Sequence, residues 1–156
     1  MTAERANLLA CLEHATIARQ HVRVVGLTAA LAAHLRTDGP WQQALTLHAA
    51  AATAAEHLGD PAGQAGALTE LGFVRRLTGD YPGATAVLQQ ALDTYRDLRH
   101  RLGQAGTLNE LGVVRRLTGD YPGAAAVLEQ ALDTYRDIGS RLGQAGAFYY
   151  LGIVRY

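Results

Sequence analysis

No lysine occurs among the 156 residues, and the chain has a single cysteine, methionine and tryptophan and only two phenylalanines. One thiol, Cys11, cannot make an internal disulfide, so folding needs no oxidising compartment and a cytoplasmic location is expected. Without lysine there can be no glycine-rich phosphate loop ending in Lys-Ser or Lys-Thr, which removes the P-loop ATPases. Net charge is lacking too: 14 arginines face 14 Asp and Glu, spread evenly, so no long-range field gathers nucleic acid or acidic lipid. No apolar run approaches the roughly 18 residues of a membrane span, since even Ala49 to Ala55 is short and interrupted by Thr53. Leu8-Leu9-Ala10-Cys11 matches a lipid-anchor box only in part, because Glu4, Arg5 and Asn7 break the apolar stretch ahead of it. Neither a nucleic acid nor a membrane is expected as partner.

Catalytic chemistry is equally sparse. His14, His21, His34, His48, His57 and His100 form no cluster at metal-ligand spacing, so no metal and no cofactor is expected. Asp80 and Asp120 recur by duplication and read as helix caps, and no nucleophile, base and oxyanion donor come together. The chain is not expected to be an enzyme.

What the sequence has is repetition. Residues 63–98 match 103–138 at 30 of 36 positions without a gap, a period of 40. A third copy starts at Gly143, and a diverged earlier one sets Leu31, Ala44, Leu45 and Ala51 in register with Leu71, Ala84, Thr85 and Ala91. Within each unit Gly79-Asp80 and Gly119-Asp120 supply a left-handed residue and an N-cap, and Pro82 and Pro122 follow in the first turn. Apolar residues at three- and four-residue steps predict seven helices near 3–20, 22–36, 41–58, 61–77, 81–98, 101–117 and 121–138, with an incomplete eighth at 141–155. The fold class is all-α. The expected organisation is a joining or capping helix in 1–21, a diverged repeat in 22–60, repeats in 61–100 and 101–140 and an incomplete one in 141–156, all in one domain. Gly72 and Gly112, inside their helices, are expected to permit close packing against Ala84 and Ala91 or their copies, and the recurring Tyr81, Tyr95, Tyr121 and Tyr135 to pack between helices.

Leu68, Leu71-Gly72, Gly79-Asp80-Tyr81, Ala84, Leu88 and Ala91, repeated forty residues on, resemble the tetratricopeptide repeat. The usual unit has about 34 residues, so this one is longer, and Arg75 and Arg115 stand where the family commonly has an aromatic. The resemblance implies a right-handed superhelical solenoid of antiparallel helix pairs, with first helices lining a concave groove and second helices outside. More narrowly, Arg-Leu-Gly-Gln-Ala at 101–105, Val-Arg-Arg-Leu-Thr-Gly-Asp-Tyr-Pro at 114–122 and the opening Glu4-Arg5-Ala6-Asn7-Leu8 are similar to the repeat arrays and joining helices of actinobacterial regulators that carry an ATPase switch domain. The expected function is therefore a scaffold binding a protein or peptide, as the sensor part of a regulator.

Residues 69 and 73 differ between the two near-identical copies and share a helix face. The groove is accordingly expected to present Thr69, Glu70, Phe73 and Arg76, then Asn109, Glu110, Val113 and Arg116, then Tyr149 and Ile153. Two arginine ladders, Arg36/Arg76/Arg116 and Arg75/Arg115/Arg155, are expected to pair mainly with Glu70, Glu110 and neighbouring acids, or else to clamp a ligand's carboxylates. The last unit has no second helix, so Phe148, Leu151 and Val154 are expected to lie uncovered, which makes a homo-oligomer through the chain ends the alternative to a groove partner.

Overall fold

A computed structural model describes residues 3–37 and 41–155, without the side chains of 3–6, 34 and 37. The side-chain part of the Glu4–Ala6 similarity and of His34 thus lies outside the described residues. The helices are α1 (Ala3–Ile17), α2 (His21–Thr37), α3 (Trp41–Leu58), α4 (Pro61–Leu77), α5 (Tyr81–Asp97), α6 (Arg101–Leu117), α7 (Tyr121–Asp137) and α8 (Arg141–Arg155). No strand occurs among the described residues. α1 stops at Ile17 rather than near 20, because the chain turns through left-handed backbone at Arg19 (φ 51°) before α2.

Each boundary has a local cause. Asp60, Asp80 and Asp120 each accept a hydrogen bond from the backbone N–H three residues on, at 2.9 Å, and Pro61, Pro82 and Pro122 sit in the first turns. His100 caps α6 in the same way, its Nδ1 accepting from the Gly103 N–H at 3.0 Å, and Ser140 Oγ accepts from Gly143. Gly79 and Gly119 close α4 and α6 at φ 83° and 85°, backbone that costs other residues about 1–2 kcal/mol.

Consecutive helices pack on one another, and α2, α4, α6 and α8 also touch in series, giving a superhelical solenoid of antiparallel pairs α2–α3, α4–α5 and α6–α7. α1 lies against α2 and α3 at one end, and α8 against α6 and α7 at the other. Leu88 and Leu128 are fully enclosed, a burial that contributes about 1.5–3 kcal/mol for each such side chain. The helical glycines work as expected in kind but against a different neighbour. A Cβ added at Gly72 would lie 2.5 Å from Leu88 Cγ, and one at Gly112 the same distance from Leu128 Cγ, so a leucine and not Ala84 or Ala91 demands the glycine. Tyr95 and Tyr135 are buried wedges: a Cβ at Gly103 would meet the Tyr95 ring at 2.6 Å, and one at Gly143 would collide with Tyr135. Tyr81 is half-buried against the core, whereas Tyr121 is mostly exposed, so the turn tyrosines only partly follow the packing expectation.

Candidate partner-binding groove

The first helices α2, α4, α6 and α8 present their i, i+3, i+4 and i+7 positions in rows that run from repeat to repeat. Along one row the expected ion pairs form. Arg36 holds Glu70 through two hydrogen bonds, Nε to Oε2 at 2.7 Å and Nη2 to Oε1 at 3.0 Å, and Arg76 reaches Glu110 at 3.2 Å. Each arginine therefore ties its repeat to the next. The Arg76 and Glu110 side chains are only 12% and 13% exposed, so their pairing is made largely out of water. Burial raises the Glu110 carboxyl above its ordinary value even though the Arg76 charge opposes that shift.

Phe73 lies between these pairs, with the Arg36 guanidinium 4.2 Å and the Arg76 guanidinium 4.8 Å from its ring centroid. Thr69 meets Thr107 hydroxyl to hydroxyl at 3.1 Å. Between α4 and α6 the polar groups of the row are thus largely satisfied by one another.

The pattern stops at Arg116. The position that would carry the next carboxylate is Tyr150, and Arg116 Nε is buried with no hydrogen-bond partner. Two turns earlier on the same helix, Asn109 Oδ1 is also buried and unpartnered. Tyr149, 65% exposed, and the exposed Ile153 continue this stretch onto α8. Val113 does not belong to the surface: it is 2% exposed, because the smaller side chain is drawn into the interior where Phe73 stays at the surface between two guanidinium groups. That corrects its place among the groove residues.

The second ladder braces turns. Arg75 donates to the Gly83 carbonyl at 3.1 Å and lies 3.7 Å from Asp80, Arg115 repeats this at Gly123 and Asp120, and Arg155 pairs with Glu129. At the chain end the expected uncovered trio is divided. Leu151 is 5% exposed, covered by α7 within the cluster of Leu128, Ala131 and Leu132, so it is unavailable for self-association. Val154 packs partly against that cluster, and Phe148 alone is largely exposed at 52%, with Arg136 stacked 5.4 Å from its ring.

Among the described residues there is no group of three or more His, Cys, Asp or Glu that could hold a metal ion, and no helix long and apolar enough to cross a membrane. Two further polar residues are buried, Thr28, which the sequence pattern did not single out, and His48, which it marked only as a histidine outside any metal cluster. Their signal was available in the register, since both stand where later repeats have leucine. Leaving such a group unsatisfied costs about 1–3 kcal/mol.

No curated protein matches the sequence. The fold is similar to the crystal structure of BtubC (BKLC) from P. vanneervenii, with a TM-score of 0.78 and 19% identity over 100% of this chain and 67% of that one. The tetratricopeptide repeat model matches residues 25–97 and 63–137, together well over half the sequence. The chain belongs to the tetratricopeptide repeat family, whose helix-pair arrays generally serve as non-catalytic scaffolds for protein–protein contact.

Proposed function

We propose that the chain binds an extended peptide or a partner helix along its row of first helices, and that α6 and α8 make the principal contacts. The observation that carries this reading is the contrast along one row: Arg36 and Arg76 are engaged by Glu70 and Glu110, whereas Arg116 and Asn109 have buried polar atoms with no partner. A guanidinium so placed favours a carboxylate, which it can engage through two N–H donors. The exposed Tyr149 and Ile153 supply apolar area beside it. The partner is accordingly a segment with an acidic residue flanked by apolar ones.

The role within a cell is that of the recognition part of a regulator, a reading supported by the similarity of residues 101–105 and 114–122 to regulator repeat arrays. One unpaired cysteine suits a cytoplasmic setting. Self-association through the chain end is the weaker reading, because Leu151 is already covered and leaves Phe148 as the main apolar contact.

The test is selection of binding peptides from a random displayed library on the full chain, followed by affinity measurement. Selected peptides are expected to share an acidic residue and to lose about tenfold or more in affinity on Arg116→Ala, as for a charged hydrogen bond left unmade. Peptides that bind Arg116→Ala and Tyr149→Ala as tightly as the parent chain would place the site elsewhere.

A further inference from the structure

The junction between α2 and α4 differs from the two that follow it at several linked register positions. Where the later junctions have Leu68, Leu88 and Tyr95, or Leu108, Leu128 and Tyr135, the first has Thr28, His48 and Ala55. These are coupled changes. Leu88 needs Gly72 beneath it, while His48 has Ala32 at the matching position, and Tyr95 needs Gly103 to admit its ring. Gly63, which corresponds to Gly103, meets no ring at all, only the cap side chain of Asp60.

The consequence is a cavity of about 280 Å³ between α2, α3 and α4, walled by Val25, Ala29, Ala51, Gly63 and Ala67 and bordered by Thr28, His48 and Glu70. Thr28 is 2% exposed and His48 1%, yet Thr28 Oγ1 and His48 Nε2 have no hydrogen-bond partner. Glu70 adds no uncompensated charge, because Arg36 engages both its oxygens. The cavity is therefore electrically neutral, mostly apolar, and bordered by two hydrogen-bonding groups that no described residue satisfies. An apolar cavity of about 150 Å³ admits a benzene molecule, so this one has room for a ring with a substituent.

We propose that this cavity binds an uncharged phenolic group, supplied either by a free small aromatic alcohol or by a tyrosine side chain of a bound peptide. Its occupant replaces what the later junctions build in, since there a tyrosine ring of the chain itself sits between successive first helices. A phenol hydroxyl that reached the floor of the cavity would donate to His48 Nε2 and accept from the Thr28 hydroxyl, giving both orphaned atoms a partner, with the ring against alanine methyls. Burial holds the His48 imidazole below its ordinary pKa, which favours the neutral ring, and in the Nδ1–H tautomer that ring accepts at Nε2. The site stands apart from Arg116 and does not depend on the groove reading.

The experiment titrates the full chain with p-cresol, toluene and N-acetyltyrosine amide, reading the His48 ring nitrogen resonances and the melting temperature. Saturable p-cresol binding that perturbs His48 is expected, about tenfold tighter than toluene because a site built to pair a hydroxyl rejects the analogue lacking it. Thr28→Val, which keeps the shape and removes the hydroxyl, is expected to erase most of that preference. Ala55→Tyr, which installs the ring found in the later repeats, is expected to raise the melting temperature and abolish p-cresol binding. Binding of N-acetyltyrosine amide as tight as p-cresol assigns the group to a peptide, and its exclusion assigns it to a free small molecule. No saturable p-cresol binding, toluene binding as tight as p-cresol, or a preference unchanged in Thr28→Val would each overturn the proposal. The Thr28→Val result decides the matter alone if Ala55→Tyr fails to fold.

Discussion

The junctions α2–α4 and α4–α6 share one backbone plan and are filled differently. In the second, Leu68, Leu88 and Tyr95 occupy the space between the helices, and Gly72 and Gly103 are the glycines that let them in. In the first, Thr28, His48 and Ala55 leave a cavity and two unsatisfied polar atoms, and Ala32 replaces the glycine. The helices nevertheless keep their order and pairing. Caps, turn glycines and inter-repeat ion pairs set the frame, and the interior filling is free to vary within it.

The largest expected effect comes from violating the filled junction. Gly112→Leu should destabilise by about 2–3 kcal/mol in urea unfolding, because its side chain must displace the enclosed Leu128. Ala32→Leu, which faces no leucine at 48, should cost visibly less; equal losses would break the comparison. Next is repair of the first junction. Thr28→Leu with Ala32→Gly and His48→Leu removes two unsatisfied polar groups and should stabilise by about 1–3 kcal/mol in the same assay. A loss of stability would show that the polar pair is satisfied in solution.

Extending the ion-pair row gives a smaller effect. Tyr150→Glu offers Arg116 the carboxylate that Glu70 and Glu110 offer its predecessors but gives up the packing of Tyr150 against the core, so its net effect on stability should stay within about 1 kcal/mol. The same change should weaken acidic peptides, measured by fluorescence anisotropy, because the guanidinium is then engaged. The smallest effect is in pH dependence. The folded-state pKa of His48 is lowered, so the unfolded chain takes up a proton that the folded chain refuses, and stability from this group is lost as pH falls below about 6.5. Glu110 acts in the opposite sense: its raised pKa contributes stability at low pH that is lost as pH rises through the folded value. Urea unfolding at pH 7 and 5.5 should therefore show a smaller acid loss in the triple variant than in the parent chain.

Helix positions were legible from the 40-residue register because capping is local: Asp80, Gly79 and Pro82 fix a boundary whatever lies beyond it. Partners across repeats were legible only where charge selects them, as for Arg36 with Glu70 and Arg76 with Glu110. Apolar contacts were not, since periodicity gives the face of a side chain and not its depth. Hence Gly72 proved to face Leu88, Val113 sank into the interior, and Leu151 was covered by a helix that precedes it in sequence. The missing partner of Arg116 Nε was implicit in the register as Tyr150 in place of a glutamate, and those of Thr28 and His48 as breaks from leucine. Departures from the repeat carried the information that its regularity did not.

Arg36–Glu70 and Arg76–Glu110 join neighbouring first helices across the solenoid's length, like cross-struts in a coil, whereas no such strut joins α6 to α8. The ionic cross-linking of the coil is then uneven along its length. The first two joints carry an ion pair on that face, and among the described residues the third has none. Opening the third joint would break no ion pair on that face, whereas opening either of the first two would break one.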